Sequence, residues 1–336
     1  MPTVSVIVPC FNEERTIPQL LTALSQQDFP LSRIEVIIAD GMSSDGTRTQ
    51  IANFQKAHSA LQIRILDNPT RTIPAGLNRA IASAKGDYIV RLDAHSVPCP
   101  DYISRCVAAI EAGRGWNVGG VWDIQPGGPG WMAKSIAIAA AHPLGVGDAF
   151  YRISSQAREV DTVPFGAFKK SLVSQIGPFD ESLHSNEDYE LNTRIRRSGG
   201  KVWLDPAIKT TYFARGTLGE LAGQYARYGY WKWQMLRRYP GSLRLRQAVP
   251  PLFVLSLLVL PFAGLMWPWL HWVLLAEVVS YVALLIGAAL LKVLEHRQIS
   301  LLIGVPLAMA TMHFSWGGAF LWSFLTPTHR KWKSRH

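Results

Sequence analysis

Four short apolar runs punctuate the first third of the chain: VSVIVP at 4–9, IEVIIA at 34–39, IRIL at 63–66 and DYIVRL at 87–92. Such runs predict strands buried on both faces, as in parallel sheets. Between them the apolar positions shift to helical spacing over 16–27 (Ile17, Leu20, Leu21, Leu24), 46–57 and 74–84. This alternation predicts βαβ units in an α/β domain. Ligands of such sheets bind beyond the carboxyl ends of the strands. The residues at those ends are polar: Asn12 and Glu13, then Asp40, then Asn68, then Asp93 and His95.

From about residue 245 the pattern changes. A nearly continuous apolar stretch divides into three segments, roughly 248–267, 270–291 and 300–325. Each is close to the ~20 residues that a bilayer crossing needs. A buried helical hairpin in a soluble protein would need fewer such runs. Trp267-Pro268-Trp269 predicts a turn at one membrane interface. The formal charge of +10 is bunched: Arg237, Arg238, Arg244 and Arg246 precede the apolar stretch, and Arg330, Lys331, Lys333 and Arg335 close the chain. Basic clusters beside apolar spans suit anionic lipid headgroups, so membrane lipids rank above nucleic acid as partners. Three crossings would put the basic tail on the far side, against the positive-inside tendency, unless one segment is re-entrant. The cysteines (Cys10, Cys99, Cys106) form no paired framework, which suits a reducing compartment. The N-terminus has no basic leader or small-residue cleavage site, so the globular part is expected in the cytoplasm.

Two constellations suggest chemistry. Asp93 and His95 lie two apart, so on a strand both would face one side at the sheet's C-terminal edge. A carboxylate and an imidazole there can hold a divalent ion, and with it a diphosphate; elsewhere a D-x-H triplet is an ordinary surface feature. The second is SNEDYELNTRIRRSGGKVWLDP, 185–206. Ser185 or Asn186 is placed to cap a helix that Gly199-Gly200 would end. Acidic residues in its first turn suit the helix dipole. Glu187 and Asp188 with Glu190 exceed that need, and Leu191 and Ile195 give the helix a core side. Residues 222–240, AGQYARYGYWKWQMLRRYP, interleave aromatic and basic side chains, as in a helix lying in the headgroup layer or one packed beneath the sheet.

Taken together, VSVIVPCFNEERTIPQLLTAL, IIADGMSSDGT, GLNRAIASAKGDYIVRLDAH, IGPFDESL and NEDYELNTRIRRSGGKVWLDP resemble family 2 glycosyltransferases, over residues 3 to about 240. Within the family the chain is most similar to bacterial exopolysaccharide enzymes of the succinoglycan-biosynthesis glucosyltransferase type. The resemblance implies a GT-A fold, the Rossmann-like domain of nucleotide-diphospho-sugar transferases, followed by C-terminal transmembrane helices. The implied divisions are 1–217 for the GT-A domain, 218–247 for an interfacial segment, 248–325 for the membrane region and 326–336 for a basic tail. Pro9, Asn12, Glu13 and Asn78 would line the nucleotide pocket, with Asp40 on the uracil ring. Asp93 matches the first Asp of the family's D-x-D and His95 stands at the second, holding Mg²⁺ or Mn²⁺. Asp188, beside Glu187, would be the catalytic base, while Gly166, Gln224 and Arg227 would serve the acceptor side.

The implied reaction is inverting transfer from a UDP-sugar, with glucose the expected sugar, to a hydroxyl of a saccharide on a polyprenyl diphosphate lipid. The enzyme would be a multi-pass protein of the cell inner membrane. Two other readings compete. Transfer to polyprenyl phosphate needs no strong base, because that oxygen is already ionised. A non-catalytic nucleotide-binding scaffold would have no use for Asp188.

Overall fold

The computed structural model describes residues 3–326. In chain order the strands are β1 (Val4–Cys10), β2 (Ile34–Asp40), β3 (Gln62–Asp67), β4 (Tyr88–Arg91), β5 (Ser96–Pro98), β6 (Asn117–Gln125), β7 (Arg158–Glu159), β8 (Ala167–Lys169) and β9 (Val202–Phe213). The first helices are α1 (Ile17–Ser25), α2 (Thr47–Ala57), α3 (Ile73–Ser83), α4 (Tyr102–Glu111), α5 (Trp131–Ala140), α6 (Pro143–Val146) and α7 (Phe150–Ile153). After them come α8 (Ser171–Ile176), α9 (Glu187–Arg197), α10 (Leu218–Arg238), α11 (Leu245–Met266), α12 (Leu270–His296) and α13 (Leu301–Leu325).

The chain divides into two compact units. One holds the residues up to Asp123 together with Phe150–Phe213, and the other holds Ile124–Ala149 and the residues from Ala214 on. The expected 1–217 domain is therefore interrupted: residues 124–149 leave it to pack with the C-terminal helices, α5 lying against α13.

In the first unit β1 pairs in parallel with both β2 and β4, and β2 with β3. The apolar runs of β1, β2 and β4 are buried on both faces, as the uninterrupted pattern predicts: Val6, Ile7, Val8, Val36, Ile37, Ile38, Ile89 and Val90 are all inaccessible. Strand β3 departs from it, because it is the sheet's edge strand and Arg64, Ile65 and Leu66 are only half-buried. The sheet then turns mixed, in the order β3-β2-β1-β4-β8-β6-β9-β5, with β8 antiparallel to β4. Strand β4 ends at Arg91, one residue before the end of the apolar run 87–92, so Asp93 and His95 lie in the turn before β5 rather than on a strand. Helix α9 starts where the acidic run predicts, but Asn186 before it is left-handed (φ 66°) and its side chain makes no capping hydrogen bond. Gly199 beyond its end sits at φ 82°, the left-handed conformation that glycine adopts without strain.

In the second unit three helices are long and apolar enough to cross a membrane: α11, α12 and α13. Trp267, Pro268 and Trp269 form the turn between the first two. Ser256 on α11 donates to Glu277 on α12 at 2.6 Å, pairing an acid in an otherwise apolar helix. The aromatic residues of α10 do not form an exposed interfacial face; Tyr225, Tyr230 and Trp231 are buried. Its Gly229 crosses α13 so closely that a Cβ would sit 2.2 Å from the Trp316 carbonyl oxygen. Of the basic tail expected at 326–336, all but Thr326 lies outside the described residues.

Ile37, fully buried at the centre of β2, reports on the sheet core. Ile37→Ala should cost about 2–5 kcal/mol through lost burial and the cavity left behind. The thermal midpoint of the detergent-solubilised chain should fall accordingly, and an unchanged midpoint would contradict this packing.

Candidate functional site

The parallel strands end at a group of charged side chains within the first unit, and its centre is a residue that periodicity hides. Arg91 closes β4, its amide donating to the Gly166 carbonyl at 3.0 Å. Its side chain is only 4 % exposed. A buried guanidinium is tolerated only when paired, and three carboxylates pair it. One terminal nitrogen lies 2.9 Å from Asp93 Oδ1 and 3.1 Å from Glu187 Oε1, and the other lies 3.1 Å from Asp188 Oδ2. The Phe165 ring covers the guanidinium at 5.2 Å. Burial works against the cation, yet the carboxylates, Asp188 first, hold its pKa above the ordinary arginine value.

Glu187 and Asp188 reach this point because α9 is fixed by polar contacts along its buried side. Asn192, fully buried, bonds to Asn117, Thr162 and the Val163 carbonyl. The Tyr189 hydroxyl donates to Asp161 at 2.9 Å. Glu190 is not a site residue: fully buried, it pairs with Arg194, which also donates to the carbonyls of Ile176, Gly177 and Pro178. Of the adjacent acids Glu187 is the more enclosed, its side chain 8 % exposed against 20 % for Asp188. Burial pushes the Asp188 carboxyl well above the usual aspartate range. Arg91 opposes that shift, while Glu187 and Asp93 add to it.

A second contact chain adjoins the first. His95 Nδ1 lies 3.0 Å from Glu13 Oε1, and His95 Nε2 lies 3.9 Å from Asp93 Oδ2. Glu13 is held by its amide, which donates to Thr47 at 2.8 Å. Asn12, left-handed at φ 53°, exchanges hydrogen bonds with Ser43 and the Ser44 amide. The turn after β1 is thereby tied to the turn after β2. Pro9 lies within β1, opposite Ala39.

Other expected residues have different surroundings. The Asn78 amide is fully engaged by the loop after α8, donating to the Phe179 carbonyl and Glu181 and accepting from the Phe179 amide, each at 2.9 Å. It clamps that loop to α3, with both amide hydrogens committed to it. Asp40 is fully buried and accepts from Ser43 and from Arg48, at 2.6 Å for the latter. A uracil contact would require one of these partners to yield. Gly166 packs where a Cβ would meet the Asn117 side chain at 2.2 Å, a close approach that only glycine allows. Gln224 and Arg227 belong to the second unit, on α10, where Gln224 is buried and donates to Tyr228.

Among the described residues no three His, Cys, Asp or Glu side chains are arranged to hold a metal by themselves. Asp93 and His95 offer one oxygen and one nitrogen donor, a set that fits a divalent ion whose other ligands come from substrate phosphates and water. Four carboxylates (Glu13, Asp93, Glu187, Asp188) face one guanidinium and one imidazole, so the group has negative charge to spare for such an ion.

Comparison with known proteins agrees with this geometry. The sequence profile described as "Glycosyl transferase family 2" matches residues 5–176. The chain is 30 % identical over 329 residues to "Succinoglycan biosynthesis protein ExoA" of Rhizobium meliloti (strain 1021), covering 97 % of this chain and 96 % of that protein. It is 27 % identical over 272 residues to a Methanococcus voltae protein, "Dolichyl N-acetyl-alpha-D-glucosaminyl phosphate 3-beta-D-2,3-diacetamido-2,3-dideoxy-beta-D-glucuronosyltransferase", covering 79 % of this chain and 83 % of that one. Among solved structures it resembles "Mannosyltransferase PcManGT from Pyrobaculum calidifontis in complex with GDP-Man and Mn2+". The TM-score there is 0.61 at 20 % identity, over 96 % of this chain and 87 % of that one. The expected GT-A fold is the one found.

Arg91→Met should strand three carboxylates and cost about 3–5 kcal/mol, read as a large drop in thermal midpoint. Arg91→Lys keeps the charge but loses the planar fork, so it should fold while the cluster loosens. An Arg91→Met chain as stable as the parent would contradict the hub.

Proposed function

The chain belongs to glycosyl transferase family 2, and from that premise we propose that it moves a sugar, with glucose our expected choice, from a UDP-sugar to a hydroxyl of a lipid-linked saccharide. It is a glycosyltransferase of polysaccharide or glycan biosynthesis; the donor, the acceptor and the residue roles are our reading. One observation carries that reading: Asp93 and Asp188, distant in sequence, meet on the two ends of a single buried guanidinium.

Asp93 and His95 would hold a divalent ion, which when bound would neutralise charge on the departing diphosphate. Asp188 takes the proton from the acceptor hydroxyl as its oxygen attacks the anomeric carbon. The pKa raised by burial suits this task, since a stronger base accepts the proton more readily. Attack from the face opposite the leaving diphosphate inverts the anomeric configuration, so an α-linked donor gives a β-linked product. Glu187, more enclosed, orients Arg91 and through it both aspartates. Glu13 and Asn12 shape the nucleotide side of the site. Gln224 and Arg227 are assigned to acceptor binding, and Gly166 keeps the backbone under Arg91 close.

A base at this position favours a hydroxyl acceptor over an already ionised phosphate. The Methanococcus relative, whose name describes transfer to the 3-position of a lipid-phosphate-linked sugar, supports that choice. The apolar C-terminal helices suit a membrane protein. We place the enzyme in the cell inner membrane as a multi-pass protein with its catalytic unit in the cytoplasm and its acceptor on a polyprenyl diphosphate.

Asp188→Asn should reduce transfer by at least a hundredfold, the scale of a lost general base, while UDP binding is kept; near-normal turnover would remove Asp188 as the base. His95→Ala should weaken Mn²⁺-stimulated UDP binding in calorimetric titrations, and an unaltered metal response would end its role as a ligand.

A further inference from the structure

The three apolar helices are alike in length, but α13 is the least apolar, with a mean hydropathy of 1.2 against 2.1 for α11 and 2.3 for α12, and they differ in what they touch. Of their most apolar windows, 39 % of that in α13 is buried against 11 % in α11 and 17 % in α12. The buried positions of α13 form one seam along its whole length: Leu301, Val305, Ala308, Met312, Phe320 and Ser323. That seam rests on protein. At its start Gly304 lies against Ser135 and Trp131 of α5. At its middle His313 contacts the Leu144 carbonyl of α6 at 2.9 Å. Toward its end Trp233 of α10 packs edge-on to Phe320 and Phe324, and Gln234 of α10 donates to Ser323 at 2.9 Å.

Helix α10 bears Arg227, Lys232, Arg237 and Arg238, so it cannot share the hydrocarbon core at the depth that a crossing α13 would require. The contacts of α13 with α11 fall at Gln247, Pro250, Phe253 and Val254, in the first half of that helix. On α12, Tyr281 meets α13, its hydroxyl 3.0 Å from His313 Nδ1 and its ring edge-on to Phe314; nearer the turn the hairpin is open, with Phe262 73 % and Trp272 72 % exposed. With 22 residues α11 spans about 33 Å, enough for a hydrocarbon core of ~30 Å.

We propose that only the α11–α12 hairpin crosses the bilayer, and that α13 lies along the membrane face at the hairpin's base, wedged against α5 and α10. Its outer stripe, Ile303, Leu307, Phe314 and Leu325, is exposed and apolar, as an interfacial helix needs where it dips into the acyl boundary. The chain then enters and leaves the bilayer on one face. The basic cluster at Arg237–Arg246 and the basic C-terminal segment fall on the same side, which removes the conflict with the positive-inside tendency. The inference rests on the membrane reading given above and specifies its topology.

Full-length chains with one added cysteine, at Pro268→Cys in the hairpin turn, at Gln298→Cys between α12 and α13, or appended after His336, would be treated with a membrane-impermeant maleimide in intact cells and after lysis. All are built on a Cys99→Ser parent, which is the blank: Cys99 is half-buried, whereas Cys10 and Cys106 are buried. Labelling of the turn in intact cells, with the other two reacting only after lysis, is the expected result. An appended cysteine labelled in intact cells means three crossings and overturns this inference alone. A shielded turn in membrane-bound protein overturns the crossing of the hairpin. Recovery of the protein free of membranes overturns the membrane reading itself, and this inference with it.

Discussion

One buried guanidinium sets the geometry of the site. Arg91 has almost no solvent to stabilise its charge, so its position is dictated by the three carboxylates that do so instead. Two come from the first turn of α9 and one from the turn after β4, so the ion pairs join segments about a hundred residues apart. Removing the guanidinium leaves the three carboxylates uncompensated in a medium where that is costly. This constraint explains the surrounding polar network. Asn192, Tyr189 and Arg194 hold α9 in place, and Asn78 holds the loop that Arg194 also grips. Their work is positional, and it keeps Asp188 partly exposed while Glu187 is enclosed.

The same arrangement links fold to chemistry. The parallel strands bring β1, β2 and β4 to a common edge, where the turns after β1 and β2 are laced together by Asn12, Ser43 and Thr47. The antiparallel strands beyond β4 place the Gly166 carbonyl against the Arg91 amide. A bulkier residue at 166 would meet Asn117, which itself bonds to Asn192 on α9. Sheet, loop and helix thus converge on one side chain.

Much of this was legible in the sequence. The four parallel strands and their helices follow from apolar runs and 3.6-residue spacing; burial on both faces enforces the runs of β1, β2 and β4, while β3 at the edge is only half-buried. The antiparallel strands were not, since β7 and β8 are too short to impose a periodicity. Asp93 and His95 come close for a reason other than the one expected: the strand stops at Arg91 and a turn, not alternation, brings them within reach. A polar residue on a helix near the strand ends looks the same whether it meets a ligand or a loop, and Asn78 holds the loop after α8. Arg91 was overlooked as part of an apolar run. A lone charge in a strand buried on both faces must have partners, and that was the signal available. Likewise the third C-terminal segment is the least apolar, at a mean hydropathy of 1.2 against 2.1 and 2.3, and its packing separates it further from the hairpin.

The most direct measurement is transfer of radiolabel from a panel of UDP- and GDP-sugars into the lipid extract of membranes from cells expressing the chain, with authentic acceptor lipid supplied. The account predicts label from a UDP-sugar entering the lipid fraction, bound through a new glycosidic bond of inverted configuration. No label from any donor, or label carried as a sugar phosphate ester of the lipid, would contradict it.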